Sequence, residues 1–583
     1  MSNNTGEVID YNLLKRVLFF AQPYKRALYF AIFFSVILSF ITPIRPLLIN
    51  YAVDNYIIVP NLDKLRFICI ILLSLLLLDA LFNFLYIYFA NWIGQHVIKD
   101  LRSRVYQKII SFRMKYFDNT PIGTLVTRTI SDIETVSDIF SQGLFVIIGE
   151  LLKLIVIISM MFYTDWRLAL ISMISVPVLL IATEWFKRNI KQSFQDVRTQ
   201  VSNINTFVQE RIVGMQLVQI FNREEAEYAK FKDINKDHLD AHLRSVLYYS
   251  IFFPIVEILS AVSIGCVIWL GGEAIVSGKD VTLGELIAFI LYIHMMFRPI
   301  RQLADRFNVL QMGIVGSERV FNILDKNEEI KDEGVIEKDV IDGNLEYRNV
   351  YFGYKKNQLV LQDICFKIQN GKSLGIAGET GSGKTSIVNT LGRFYEINKG
   401  DVLVDNISIN NYRLKNLRKH ISIVNQEVHL FSDSIYNNIR MYDDNISDEE
   451  IVIAAKEIGI HDFIMKFPNG YHYIVGERGI TLSAGQRQLI SFLRVYFRNP
   501  KILILDEATS SIDSETESVL QSCLNKISRG RTTIIIAHRL STIVNCDHIL
   551  CLKDGSIIEE GNHMSLMNID GYYRDMYNKQ LEM

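Results

Sequence analysis

Residues 373–395 read SLGIAGETGSGKTSIVNTLGRFY, and this segment settles the fold class of the C-terminal half of the 583-residue chain. Its first five residues form an apolar, strand-like run, and its last ten have a helical pattern. Between them, GETGSGKT at 378–385 matches GxxxxGK[ST], the pattern of a phosphate-binding loop, in the strand–loop–helix context that such a loop requires. The segment therefore predicts an α/β domain that binds a nucleotide.

Each residue type in this loop has a chemical reason to be there. The glycines let the backbone turn tightly, so that its N–H groups face the phosphates. The ammonium of Lys384 reaches the β- and γ-phosphates, and the hydroxyl of Thr385 can ligate Mg²⁺. We expect nucleotide contacts from Gly378, Glu379, Thr380, Gly381, Ser382, Gly383, Lys384, Thr385 and Ser386.

A second apolar strand, KILILDE at 501–507, ends in two carboxylates. Asp506 is placed to hold the Mg²⁺ shell, and Glu507 is the candidate to orient or deprotonate the attacking water. An apolar run ending in DE is informative here because the stretch of sequence between it and the phosphate loop is long enough to form the core of one domain.

The N-terminal half contains six runs of about 20 mostly apolar residues, the length that a membrane span needs. The clearest reads FICIILLSLLLLDALFNFLYIYFANW, and the weakest is interrupted near its end by His294, Arg298 and Pro299. The predicted spans are about 27–52, 67–92, 143–163, 167–187, 249–271 and 281–300.

Two long polar, helix-forming segments, 94–142 and 188–248, follow the second and fourth spans and hold most of the basic residues of this half. The positive-inside rule places these helix extensions and both termini in the cytoplasm. We therefore expect an integral membrane protein in contact with the lipid bilayer, in the inner (cytoplasmic) membrane if the source is bacterial.

A charged segment, 323–343, reads as a linker, and short apolar strands then alternate with helical patterns from 344 to 583. The predicted fold class is multi-domain. An all-α six-helix transmembrane domain at 1–322 with long cytoplasmic helix extensions precedes an α/β P-loop nucleotide-binding domain. With 61 Lys and Arg against 63 Asp and Glu, the overall charge gives no indication of a nucleic-acid partner.

The segment LSAGQ at 482–486 resembles the signature motif of ATP-binding cassette (ABC) transporters, usually LSGGQ. The resemblance covers nearly the whole chain, because six spans with two long extensions are similar to the exporter-type half-transporter of that family. Further matches follow in the family's order. They imply that Tyr354 stacks on adenine and that His538 contacts the γ-phosphate. They also imply that Gln426 links the Mg²⁺ site to the membrane domain and that GERG at 476–479 contacts the coupling helices. Asp513, in SSID, would make a dimer contact.

The resemblance also implies a head-to-tail sandwich, in which the phosphate loop of one subunit faces the signature of a second half-transporter subunit. Ser483, Gly485 and Gln486 would then bind ATP that the partner holds. Ala484 departs from the usual glycine, which leaves both a homodimer and a heterodimer open. The stretches 117–136 and 212–225 resemble the regions of the two coupling helices.

The predicted function is ATP-driven export of amphipathic small molecules or lipids, with Glu507, His538 and Lys384 as catalytic residues and ATP and Mg²⁺ as cofactors. Export of a peptide or a specific metabolite is an alternative, and a nucleotide-gated channel is a weaker one because Glu507 is present. Ionisable residues within the spans either line a transport pathway or join helices, and the sequence leaves both open. They are Arg45, Asp79, Glu150, Lys153, His294 and Arg298.

Overall fold

The computed structural model describes residues 11–278, 281–355, 358–443, 445–506, 514–537 and 539–581. These residues divide into two compact units. The first is formed by residues 1–110 and 122–327, and the second by residues 111–121 and 328–583. The short segment 111–121 therefore packs with the C-terminal unit, although it lies between helices of the first.

The described residues of the first unit form helices joined by short turns, as its long apolar runs predict. Its helices extend well beyond the length of a single span, since α3 has 49 residues and α11 has 53. The helices are α1 Tyr11–Phe20, α2 Lys25–Ala52, α3 Leu62–Ile110, α5 Ile122–Thr129, α6 Ser131–Asp138, α7 Leu144–Thr164, α8 Trp166–Ser172, α9 Val176–Val213, α10 Met215–Ile220, α11 Glu224–Val276 and α12 Leu283–Leu324.

Five helical segments in the described part of the chain are long and apolar enough to cross a membrane. The helix α12, which contains the sixth predicted span, does not reach that criterion, and His294 and Arg298 lie within it. The count of six spans therefore stays a prediction. The five segments are Gln22–Ile57, Leu62–Ile110, Ile122–Thr164, Trp166–Val213 and Glu224–Val276.

The turn predicted between the third and fourth spans is a single capping residue. The carboxylate of Asp165 accepts hydrogen bonds from the backbone N–H groups of Arg167 (2.7 Å) and Leu168 (2.9 Å) at the start of α8. Such a cap satisfies donors that have no partner within the helix. One aspartate thus ends the turn and starts the next helix.

The helices α2 and α12 approach closely at one end. Asp54, just after α2, accepts hydrogen bonds from the backbone N–H of Gly284 (2.9 Å) and the hydroxyl of Thr282 (2.5 Å). A Cβ at Gly284 would lie 2.5 Å from the carbonyl oxygen of Asn50, so only glycine allows this approach. The first and last long helices of this unit are therefore tied at the N-terminal end of α12.

Charged groups within the spans form pairs. The guanidinium of Arg45 lies 2.6 Å from the carboxylate of Asp79, which also accepts a hydrogen bond from Thr42 at 2.9 Å. The ammonium of Lys153 donates to the carboxylate of Glu150 at 3.2 Å, one turn away on the same helix. Pairing lowers the cost of charge in an apolar medium. Of the two roles left open for Asp79, the contact between α2 and α3 favours joining helices.

The second unit contains two sheets. The first has strands in the order β2-β1-β4-β5 and is antiparallel, and the second has the order β10-β9-β3-β8-β7-β6 and is parallel except for β10. The strands are β1 Leu345–Phe352, β2 Leu361–Ile368, β3 Ser373–Gly378, β4 Lys399–Val404, β5 Ile407–Ser408, β6 Ile421–Val424, β7 Ile502–Asp506, β8 Thr532–Ile536, β9 His548–Lys553 and β10 Ser556–Gly561.

Helices cover the parallel sheet, which explains why its central strands are mostly apolar and buried. All five residues of β7 are buried, as expected for a strand with both faces covered. The helices of this unit are α4 Met114–Asp118, α13 Lys384–Leu391, α14 Leu414–His420, α15 Ile435–Arg440, α16 Asp448–Ile458, α17 His461–Ile464, α18 Ala484–Arg498, α19 Ser514–Ser528, α20 His563–Asn568 and α21 Tyr572–Leu581. The predicted fold class, a helical membrane-type domain followed by an α/β nucleotide-binding domain, is confirmed.

Tyr347 joins the antiparallel sheet to the helix that follows the phosphate loop. Its ring is fully buried and stacks on Phe366 with a centroid distance of 4.6 Å. Its hydroxyl donates a hydrogen bond of 2.9 Å to the carbonyl oxygen of Ile387 in α13. Strand β1 therefore fixes the position of α13 through this residue.

We predict that Tyr347→Phe lowers the free energy of unfolding of the C-terminal unit by about 1 kcal/mol, because the carbonyl of Ile387 loses its buried donor while the ring contact remains. Tyr347→Ala should cost about 3–5 kcal/mol, because it also leaves a cavity. Thermal unfolding of the purified chain measures both changes. Tyr351→Phe, on the same strand but partly exposed, is the matched control. Equal losses at the two positions would contradict the assigned bond.

Candidate functional site

The residues predicted to handle the nucleotide lie at one edge of the parallel sheet. Strand β3 ends at Gly378 and β7 ends at Asp506, while Gln426 follows the end of β6 by two residues. Carboxyl ends of parallel strands meet at the same edge, which is where open α/β sheets bind their ligands. The topology thus brings together three motifs that are far apart in the sequence.

The phosphate loop has the backbone conformation that its glycines predict. Gly378 has a φ of +154° and Gly383 a φ of +104°, which residues with a side chain rarely adopt. A Cβ on Gly378 would lie 2.5 Å from the carbonyl oxygen of Leu552, and a Cβ on Gly383 would lie 2.8 Å from the side chain of Leu361. Both positions therefore require glycine for their conformation and for the space around them.

Two polar groups of the loop are suited to an anion. Lys384 is buried, and its ammonium donates hydrogen bonds to the carbonyl oxygens of Gly378 (2.7 Å) and Glu379 (3.0 Å). Burial lowers the pKa of Lys384, and the carboxylate of Asp506 opposes that effect. The hydroxyl of Ser382 is buried and has no hydrogen-bond partner among the described residues. A phosphate would satisfy both groups, at the N-terminal end of α13 where the helix dipole also favours an anion.

The groups predicted to hold Mg²⁺ all offer oxygen. Thr385 and Gln426 are exposed at the sheet edge, and Asp506 is buried at the end of β7. Hydroxyl, amide carbonyl and carboxylate oxygens are ligands that Mg²⁺ accepts. The set of donors therefore fits the ion.

Tyr354, the predicted adenine-stacking residue, is held from two sides. Its hydroxyl lies 3.2 Å from the hydroxyl of Ser386 and accepts a hydrogen bond from Asn389 at 3.0 Å. Its ring makes edge contacts with Phe352 and with Tyr395, each at a centroid distance of 4.9 Å. Tyr354 is thus fixed against the same helix, α13, that begins at the phosphate loop.

Tyr395 connects this aromatic group to the segment 111–121. Its hydroxyl donates a hydrogen bond to the carboxylate of Asp118, the last residue of α4, and burial and this carboxylate both raise the pKa of Tyr395. A cavity of about 220 Å³ lies beside the contact and is lined by Arg113, Arg393 and the two tyrosines, among others. The sequence pattern contains no signal for Tyr395, because the contact joins positions 277 residues apart.

The signature residues begin a helix. The hydroxyl of Ser483 accepts a hydrogen bond from the backbone N–H of Gln486 (3.3 Å), and the side-chain oxygen of Gln486 accepts one from the backbone N–H of Ser483 (2.9 Å). This is a capping box at the start of α18. The S-x-x-Q spacing could have predicted it from the sequence. Ala484 is the first helical residue and has no left-handed backbone angle, so the local fold does not require glycine there.

A buried polar network fixes the segment after Gln426, and sequence reasoning missed it. The side chain of Asn438 accepts a hydrogen bond from the N–H of Phe431 at 2.9 Å and donates one to its carbonyl at 2.9 Å. Arg494, in α18, donates to the carbonyl oxygens of Asn438 (2.6 Å) and His429 (2.9 Å), and burial lowers the pKa of Arg494 to about 10. The signature helix and the segment that follows Gln426 are therefore bonded to each other.

Three predicted residues, Glu507, Asp513 and His538, lie outside the described residues. Their neighbours are described. Glu507 directly follows Asp506 at the end of β7, and His538 comes two residues after the end of β8. Their assigned roles stay predictions.

Comparisons with known proteins cover both halves of the chain. A family model described as ABC transporter transmembrane region matches residues 28–300, and one described as ABC transporter matches residues 361–510. The chain is 35% identical to the uncharacterized ABC transporter ATP-binding protein YknV of Bacillus subtilis (strain 168), over 97% of this chain and 94% of that protein.

Two further relatives are similar over nearly their whole length. One is the putative multidrug export ATP-binding/permease protein YgaD of Bacillus subtilis (strain 168), 33% identical over 97% of this chain and 99% of that protein. The other is the ATP-dependent lipid A-core flippase of Syntrophus aciditrophicus (strain SB), 33% identical over 98% of this chain and 95% of the flippase. The two matched regions coincide with the helical unit and with the sheet edge that carries the phosphate loop. The chain therefore belongs to the ABC transporter family, as an integral membrane protein whose transmembrane and ATP-binding regions are fused in one polypeptide.

Proposed function

We propose that this chain is the subunit of an ATP-driven exporter of amphipathic small molecules or lipids. The observation that carries the proposal is the phosphate loop, with its buried Lys384 and Ser382, in a chain that also contains a transmembrane region of the same family. Relatives named as a putative multidrug export protein and as lipid A-core flippases support this substrate class.

The nucleotide chemistry requires two copies of the machinery. Lys384 and the N–H groups of the phosphate loop bind the phosphates, and Tyr354 receives the adenine ring. Mg²⁺, held by Thr385, Gln426 and Asp506, would neutralise charge on the phosphate oxygens. Glu507 orients the attacking water and His538 contacts the γ-phosphate. Ser483, Gly485 and Gln486 complete the site of a second half-transporter subunit, with Asp513 at the contact between them.

The membrane half converts closure of this sandwich into transport. In our proposal, six spans carry the pathway, and the basic extensions 94–142 and 188–248 reach into the cytoplasm, in the inner membrane if the source is bacterial. Binding of adenine at Tyr354 affects segment 111–121 through Tyr395, which contacts Tyr354 and donates a hydrogen bond to Asp118. Alternating access then follows from rigid movement of long helices.

Export of a peptide or a specific metabolite is the alternative that the same machinery would serve. A nucleotide-gated channel is less consistent with the sequence, because it has no need for a catalytic carboxylate at position 507. Vanadate-sensitive ATPase of the purified chain, measured across a panel of lipids and drugs, should be stimulated if amphipathic compounds are the substrates and unchanged if a peptide or a specific metabolite is. The loss of turnover predicted for Glu507→Gln tests the channel.

We predict that Glu507→Gln abolishes ATP turnover, with a fall in kcat on the order of a hundredfold or more, because the general base is lost. ATP binding should remain, so the variant should trap ATP in a stable dimer. Lys384→Ala is the contrasting variant, since it should weaken ATP binding itself. Vanadate-sensitive ATPase and nucleotide retention measure the two effects. Full activity of Glu507→Gln would refute the mechanism.

We predict that Ala484→Gly changes ATPase activity by no more than about twofold, because the methyl group lies on the first helical residue and alanine favours the helix slightly over glycine. The comparison uses the chain expressed and purified alone. An increase of tenfold or more would instead identify Ala484 as the mark of a weakened site and of an unequal pair.

We predict that Tyr395→Phe uncouples hydrolysis from transport, because it removes the hydrogen bond to Asp118 and keeps the ring against Tyr354. The number of substrate molecules moved per ATP in vesicles should fall several-fold, while basal ATPase stays within about twofold. Asp118→Ala, which removes the acceptor, should resemble Tyr395→Phe, and the double variant should be no worse than either. Additive effects would contradict a shared contact.

A further inference from the structure

The C-terminal helix α21 is anchored at its first turn. The carboxylate of Glu559 accepts hydrogen bonds from the backbone N–H groups of Tyr572 (2.6 Å) and Tyr573 (2.9 Å). A Cβ at Gly571 would lie 2.3 Å from the same carboxylate, so a side chain there would displace the carboxylate from this contact. An anion at a helix N-terminus is favourable for both its hydrogen bonds and the helix dipole. The start of α21 is therefore fixed to β10.

The helix α21 packs against residues that directly precede the phosphate loop and His538. Tyr573 is fully buried, and its hydroxyl lies 2.8 Å from Nδ1 of His563. It belongs to a core cluster that includes Ala377 and Ala537. Ala377 directly precedes the phosphate loop, and Ala537 directly precedes His538. A displacement of α21 would thus reach the bases of two loops together.

The last turn of α21 bonds to the backbone just beyond His538. The side-chain oxygen of Gln580 accepts a hydrogen bond of 2.8 Å from the backbone N–H of Leu540. Leu540 is 1% exposed and begins the short 3₁₀ turn Leu540–Thr542, so its buried N–H takes its partner from the side chain of Gln580. The cap of that turn comes from a side chain 40 residues away.

The first turn of α21 faces the phosphate loop. Burial raises the pKa of the Tyr572 phenol, the backbone of Glu379 in the phosphate loop opposes that shift, and the Glu379 carboxylate adds to it. The ammonium of Lys553 lies 5.6 Å from the centre of its ring. Tyr572 is therefore held between the phosphate-loop residue Glu379 and Lys553.

From these contacts we propose that Gln580 is a positioning residue for ATP hydrolysis, acting through the N–H of Leu540 to hold the backbone that carries His538. The C-terminal helix α21 thereby sets the phosphate loop and the histidine segment at a fixed separation. This inference rests on the proposed ATPase function. It adds a residue outside the family motifs described above.

The test uses the full-length chain in lipid nanodiscs. Gln580→Leu removes the acceptor at similar size, and we expect kcat for ATP hydrolysis to fall on the order of tenfold with nucleotide affinity within about twofold. Gln580→Glu keeps an acceptor oxygen and should restore most of the activity. Lys579→Ala, at an exposed neighbouring position, is the matched control and should behave like the unmodified chain.

A second background separates positioning from general stability. In His538→Ala, Gln580→Leu should lower the remaining kcat no further, because residues that act as one unit have non-additive effects. The same tenfold loss in both backgrounds, or a loss of nucleotide binding with kcat intact, would overturn the assignment.

Amide hydrogen exchange tests the contact without relying on hydrolysis. Gln580→Leu should accelerate exchange at residues 539–543 and leave β6 protected. Unchanged exchange at residues 539–543 would refute the role of Gln580 in holding this segment. Suppose that the unmodified chain hydrolyses no ATP but residues 539–543 still exchange faster in Gln580→Leu. The proposed ATPase function then fails, and the contact between Gln580 and Leu540 is still supported. The two ideas can therefore fail separately.

Discussion

The buried ammonium of Lys384 is the constraint on which the nucleotide-binding unit depends. A desolvated cation is costly, and here two carbonyl oxygens of its own loop partly replace water. Those carbonyls can point inward only because Gly378 and Gly383 adopt backbone angles closed to other residues. The loop in turn needs a buried parallel strand before it and a helix after it. Strand β3, α13 and the sheet edge are therefore arranged around one charge that a phosphate can neutralise.

The rest of the unit extends this arrangement outward. Tyr347 fixes α13 from the antiparallel sheet, and Tyr354, the residue proposed to stack on adenine, contacts the same helix through Ser386. Arg494 bonds the signature helix to the segment that follows Gln426. These contacts hold α13, the signature helix and the segment after Gln426 in a defined geometry around the phosphate loop.

Local patterns predicted much of this architecture. The phosphate loop, the apolar strands and the long helices depend on residues close in sequence, and GxxxxGK[ST] or a run of 20 apolar residues records them directly. The S-x-x-Q capping box at Ser483 could have been predicted in the same way. The pairing of Arg45 with Asp79 was less accessible, since it joins two helices whose packing no local pattern encodes. The bonds from Tyr395 to Asp118 and from Leu540 to Gln580 cross 277 and 40 residues, and only the fold reveals them.

The capping box at the signature has a consequence for the release of spent nucleotide. Ser483 and Gln486 already satisfy each other's backbone N–H groups in the single subunit, so the helix start is ordered before a partner arrives. Little conformational entropy is then lost on association, and the hydroxyl proton of Ser483 needs only an acceptor to complete the contact. In the proposed sandwich, the γ-phosphate of ATP held by the partner subunit would supply that acceptor, and hydrolysis would remove it. The two subunits could then part with both backbone N–H groups of the capping box still bonded, and the cycle could run repeatedly.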